Sequence, residues 1–150
     1  MVEIKPSQLP SPNETISILR QHWEQMLEHV IRQLPLEACG LVAGQDGFSR
    51  EVFPIANALS SPVRFRMSPE QQIKVFLELD ELGWDLLGIY HSHPDGPPIP
   101  SPTDIAESAY PDTVSLIWSR FGSEWTCRGF VIQKGDFREV IINIVPQKQL

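Results

Sequence analysis

The chain has 150 residues, of which 41% are hydrophobic and 21% charged, and its formal net charge is −7. That balance suits one globular domain and excludes disordered and fibrous classes. No Lys/Arg cluster accompanies the negative charge, so nucleic acid is excluded as a partner, and no apolar run is long enough to cross a membrane.

Residues 1–12 read as a short leader, with a strand at Val2-Glu3-Ile4 and no apolar block of the signal-peptide kind. A cytoplasmic location is the resulting expectation. Ser11-Pro12-Asn13-Glu14 reads as a capped helix start. Apolar residues then recur with helical spacing from Ile16 through Leu19, Trp23, Met26, Leu27, Val30 and Ile31 to Leu34, before Pro35 ends the helix. His22 and His29 fall on this helix and read as surface or boundary side chains rather than metal ligands.

Leu41-Val42-Ala43, between Gly40 and Gly44, reads as a central strand, with Glu37 where the helix gives way to it. Asp46-Gly47 is a hairpin signal, and Phe48 to Ile55 is the returning strand. Asn57 to Pro62 is a loop, and Val63-Arg64-Phe65-Arg66-Met67 alternates as a half-buried strand would. Ser68-Pro69-Glu70-Gln71 caps a second helix. Ile73, Phe76 and Leu77 begin its apolar face, Leu79 and Leu82 sit near the edge, and Gly83 is its stop. Leu86 to Tyr90 is a buried strand that runs directly into His91. A third helix starts at Ser101-Pro102-Thr103-Asp104 and runs toward Tyr110. Strands follow at Val114–Trp118, Trp125–Ile132 and Phe137–Val145, with a polar tail over residues 146–150.

This order predicts an α+β fold, a mixed β-sheet flanked by helices, occupying residues 13–145. Regular βαβ alternation and a Gly-rich dinucleotide fingerprint are both missing, which argues against a parallel-wound sheet. Cys39 and Cys127 are too few for a disulfide framework and read as reduced structural thiols, although Cys39 lies close enough to Glu37 to line a site.

The chemistry concentrates between His91 and Asp104. Two histidines one residue apart point to the same side of a strand, and the Pro/Gly loop lets the chain double back to Asp104 in the first turn of a helix. His91, His93 and Asp104 therefore read as three metal ligands. Two imidazoles and a carboxylate suit a catalytic zinc with an open fourth position, and iron accepts the same donors. Ser101 has two compatible readings, a helix cap and a hydroxyl donor to a developing oxyanion. Ser92 should face away from the metal, and Asp95-Gly96 should shape the loop. No H-E-x-x-H helix supplies a local proton shuttle. Glu37 is the best candidate for that role, although spacing alone does not bring it to the metal.

Glu37 in Glu37-Ala38-Cys39-Gly40-Leu41-Val42-Ala43-Gly44, then His91-Ser92-His93-Pro94, six residues, and Ser101-Pro102-Thr103-Asp104 resembles the JAMM/MPN-plus zinc metalloprotease family. The distant glutamate and the H-x-H-P, six residues, S-x-x-D spacing match its pattern without substitution, in a compact form similar to prokaryotic stand-alone members. The resemblance implies a cytidine-deaminase-like αβα architecture, with one zinc ion on His91, His93 and Asp104. It also implies Glu37 as proton shuttle and Ser101 as oxyanion donor. The implied activity is hydrolysis of an amide bond at the Gly-Gly tail of a ubiquitin-like or sulfur-carrier protein, as a peptidase or isopeptidase. A homodimer is compatible with that reading. The competing readings are a non-catalytic interaction module of the same fold and a zinc hydrolase of small amides.

Overall fold

A computed structural model describes residues 14–146. The leader strand, the Ser11 cap and the last four residues lie outside that range. Ten elements follow in order. They are β1 (Thr15–Leu19), α1 (Arg20–Arg32), β2 (Cys39–Gln45), β3 (Phe48–Ile55), α2 (Pro69–Leu82), β4 (Asp85–His93), α3 (Pro102–Glu107), β5 (Val114–Phe121), β6 (Glu124–Gln133) and β7 (Asp136–Val145). The expected mixed sheet flanked by helices is present, and it closes on itself in the order β1-β3-β2-β4-β5-β6-β7.

Closure explains the first departure from the sequence reading. Thr15–Leu19 is a strand rather than the first turns of a helix, and α1 begins only at Arg20. β1 runs parallel to β7 over five residue pairs and meets β3 at Ser17 and Phe48. Ile16 and Leu19 fit a helical spacing, whereas Ile16 and Ile18 fit an alternating one. The tertiary pairing available at the barrel seam selects the strand.

β2 lies between β3 and β4 and is buried along nearly its whole length. Its alternate side chains supply two cores. Val42 faces α1, beside Met26, Val30, Tyr90 and Trp118. Cys39, Leu41 and Ala43 face α2, beside Val75 and Leu79. The Asp46-Gly47 turn has positive φ at both residues, the backbone that a tight two-residue hairpin requires.

Two further expectations are corrected. Residues 63–67 are not a strand, because only Met67 makes an isolated bridge, to Asn57. The Asn57 side chain takes over the ladder's work. Its amide donates to the carbonyls of Glu37 and Arg64, and its oxygen accepts from the N–H groups of Leu59 and Arg66. In α2 the buried residues are Val75 and Leu79, whereas Ile73 and Leu77 are exposed. The Ser68 cap and the left-handed Gly83 stop stand as expected, and α3 ends early, at Glu107.

His22 and His29 are both buried, contrary to the surface reading. His22 Nδ1 lies 2.7 Å from the Ser49 hydroxyl, which also accepts from the Leu19 N–H. His29 Nδ1 lies 2.7 Å from the Tyr90 hydroxyl. Burial lowers the pKa of each, and for His29 the Arg32 charge adds to the effect. Their folded pKa values lie below the unfolded value. Their contribution to stability is therefore complete above about pH 6.5 and is lost as pH falls toward the folded values. Denaturant unfolding at pH 7.5 and pH 5 should show lower stability at pH 5, and replacing His22 by Asn should flatten that decline.

Tyr90 also dictates its neighbour across the sheet. A Cβ at Gly40 would run into the Tyr90 ring. Gly40→Ala should destabilise the domain by about 1–3 kcal/mol, the usual effect of overpacking, as read by urea titration.

Candidate active site

The antiparallel register of β2 and β4 pairs Cys39 with His91 and Gly40 with Tyr90. Continued past the end of β2, the same register sets Ala38 opposite Ser92 and Glu37 opposite His93. The contacts follow it, since the Ser92 N–H donates to the Ala38 carbonyl at 3.0 Å. The Ser92 hydroxyl also accepts from the Ala38 N–H at 2.8 Å. Ser92 thus faces away from the histidines, as expected, and locks the residue next to Glu37. Sequence reasoning missed that anchoring role. Asn57 was missed as well, and it holds the Glu37 carbonyl from the other side while the Glu37 N–H donates to Ser61.

His91 and His93 emerge on the face of β4 that carries Glu37, and all three are buried. One ligand atom from each lies within 4.8 Å of the others, a cluster able to coordinate a metal ion. Asp104 reaches the same point from the first turn of α3. Its Oδ2 is 3.2 Å from His91 Nε2 and 3.1 Å from His93 Nε2, and the two ring nitrogens are 3.0 Å apart. Tetrahedral donors around zinc, each about 2.0–2.1 Å from the ion, stand roughly 3.3 Å from one another. The triangle is close to that size.

Tautomers support the fit. The Pro97 carbonyl only accepts, so His93 Nδ1 donates to it at 2.8 Å. Neutral His93 then turns a lone pair toward His91 and Asp104. A proton on His91 satisfies one contact at a time, whereas a divalent cation satisfies all three. Phe65 stacks on the His91 ring, with centroids 4.4 Å apart, and fixes its plane.

The electrostatics separate the two carboxylates. Burial opposes ionisation of Asp104, but the two imidazoles beside it and the hydrogen bond from the Ser101 N–H hold its pKa well below the usual carboxylate range. Burial pushes Glu37 up to about 7; His93 pulls the other way and Asp104 adds to the rise. For His91 burial dominates and lowers the pKa. For His93 the burial effect is outweighed by Asp104, the Pro97 carbonyl and Glu37, and the pKa rises.

Ser101 makes a reciprocal capping box with Asp104. Its hydroxyl accepts from the Asp104 N–H at 3.0 Å, and its own N–H donates to Asp104 Oδ2 at 2.8 Å. The capping reading is therefore realised, and the hydroxyl proton is left uncommitted by that bond. Asp95 is almost fully exposed, with a 3.5 Å contact to Arg120, as suits a turn residue. The Cys39 thiol is buried, donates to the Ile55 carbonyl, and is pushed up to about 12 by burial and by Glu37. It is structural. Cys127 is only half-buried.

Residues 19–128 match the family described as prokaryotic homologs of the JAB domain. The chain belongs to that family. A desampylase from Haloferax volcanii is 37% identical to this JAB domain over 100 residues, covering 61% of the chain and 71% of the relative. A probable TtuB-protein conjugate cleaving protease from Thermus thermophilus is 40% identical over 113 residues, covering 75% and 72%. The solution structure of a Desulfitobacterium hafniense protein superposes with a TM-score of 0.76 at 33% identity, covering 88% of this JAB domain and 95% of that chain.

Ser92→Ala should remove the acceptor of the buried Ala38 N–H and destabilise the domain by about 1–3 kcal/mol in denaturant titrations. Metal stoichiometry by elemental analysis should be unchanged, because the three converging donors remain.

Proposed function

We propose that the chain is a zinc-dependent peptidase or isopeptidase that cleaves the amide bond after the C-terminal glycines of a small ubiquitin-like or sulfur-carrier protein. The convergence of Glu37, just before β2, with His91 and His93 on β4 and Asp104 on α3 is the observation that carries this reading. The names of the Haloferax and Thermus relatives are consistent with it, a desampylase and a probable TtuB-protein conjugate cleaving protease. Two free cysteines suit a reducing cytoplasm as the place of action.

His91 Nε2, His93 Nε2 and Asp104 Oδ2 would hold the zinc. When bound, zinc supplies Lewis acidity, lowering the pKa of water and polarising the amide carbonyl. Glu37, within reach of both histidines and not committed to the Asp104 contacts, takes the proton of the attacking water. A carboxylate whose pKa lies near neutrality both accepts a proton and gives it up readily. Glu37 then passes that proton to the departing amine. The Ser101 hydroxyl, held in place by its cap to Asp104, donates to the oxygen that gains charge. A glycine tail suits the narrow approach because it presents backbone without side-chain bulk.

The test is cleavage of a β-grasp carrier joined through Gly-Gly to a second protein, with the cut located by intact mass. Zinc-loaded wild type should cleave, and chelation should abolish cleavage. Glu37→Gln should bind zinc stoichiometrically while losing roughly 10²–10⁴-fold in rate. Equal rates for wild type and Glu37→Gln would remove Glu37 from the mechanism. Zinc binding with activity only on small amides would replace the proposed substrate class.

A further inference from the structure

Beside the histidines lies a cavity of about 530 Å³. Phe65, Met67, Ile89 and Ile132 give it an apolar part, and Tyr110 also lines it. Met67 and Ile132 are buried side chains, so this part of the cavity is set into the core. Tyr110 is steadied by the Gln72 amide, 3.3 Å from its hydroxyl, and by an edge contact with Phe76. The Arg64–Glu107 ion pair, at 2.8 Å, ties the 57–67 loop to α3 across the same region.

The cavity is continuous with the reacting centre on one side only. His91 and Asp104 form part of its lining, whereas Glu37, His93 and Ser101 do not. That asymmetry orients a substrate. The departing amine must lie by Glu37 to receive its proton, and a cavity that Glu37 does not line suits the acyl side of the bond. In an extended tail, two glycines span roughly 7 Å and carry no side chain. The first side chain able to enter the cavity belongs to the residue just before the glycine pair.

We propose that this cavity is a specificity subsite for a branched aliphatic or aromatic side chain immediately preceding the Gly-Gly of the tail. The assignment rests on the peptidase reading above and deepens it. Phe65 serves twice, as the plate that holds the His91 ring and as a wall for the substrate side chain. Asn57 is a positioning residue for both, since it shapes the loop that carries Phe65 and holds the Glu37 carbonyl. Of the charged groups lining it, Arg66 and Glu107 are exposed, Glu107 is already paired with Arg64, and Asp104 belongs to the metal-binding cluster.

The test uses zinc-loaded full-length protein and carrier fusions with an Xaa-Gly-Gly junction, where Xaa is Leu, Phe, Ala or Asp. Leu and Phe should exceed Ala by about tenfold in kcat/KM, the scale on which an apolar pocket discriminates side-chain size, and Asp should be poorest. Filling the cavity from its exposed edge with Ala109→Phe should bring the Leu-to-Ala ratio close to one. In parallel, acetyl-Leu-Gly-Gly added to methyl-labelled protein should shift the Met67 and Ile132 methyl resonances, and acetyl-Gly-Gly-Gly should not. Cleavage that is indifferent to Xaa, or that follows the residue after the bond instead, would overturn the subsite while leaving the peptidase reading intact. If no fusion is cut, the peptidase reading fails and the methyl shifts decide the subsite alone. Shifts with the Leu peptide support it, and their absence overturns it.

Discussion

The pairing of β2 with β4 is the constraint on which the site depends. The side-chain period of a strand is two, so a slip of one residue would send Glu37 to the opposite face from His91 and His93. Several contacts prevent that slip. Gly40 leaves room for the Tyr90 ring, Tyr90 reaches across to His29 on α1, and the Ser92 hydroxyl captures the Ala38 N–H. The two cores grip the pair from both sides, with Val42 and Tyr90 in one and Leu41 and Ile89 in the other. The buried histidines of α1 belong to this arrangement, because they pair with the Ser49 and Tyr90 hydroxyls in the core.

Around that register the chain gathers two imidazoles and two carboxylates where water is largely excluded. Such a cluster is unfavourable unless its members divide the charge among them. Asp104 stays ionised because two imidazoles flank it and a backbone N–H donates to it. Among the described residues none donates comparably to the Glu37 carboxylate, and burial raises it toward neutrality. Two carboxylates with divergent environments are the usual mark of divided roles, one as a fixed anion and one as a proton carrier. A divalent cation at the meeting point of the three converging atoms would complete the charge balance.

The segment that sequence patterning misread is the one that serves the site most directly. Val63 to Met67 alternates as a strand would, yet the neighbouring backbone is engaged by the Asn57 amide instead of by a partner strand. An asparagine able to make four backbone contacts leaves no periodic trace, and a cluster of Ser and Pro around it reads only as a loop. The result is a shaped wall carrying Phe65 over His91. The α2 helix shows a related ambiguity. Ile73 and Leu77 share a face four residues apart, but that face points outward, because the sheet is met by Val75 and Leu79. Thr15–Leu19 fits either period, and only the seam between β7 and β3 decides it.

Local chemistry is what the sequence alone determined: the hairpin at Asp46-Gly47, the caps at Ser68 and Ser101, and the two histidines sharing one side of a strand. These depend on neighbours within a few residues, and the side-chain periods and cap geometries that govern them are legible in one dimension. The convergence of Glu37 with a pair more than fifty residues away, the burial of His22 and His29, the closure of the sheet and the cavity beside His91 were settled only in three dimensions. Each arises from register and packing between distant segments, and long-range pairing carries no periodic signature in a single chain.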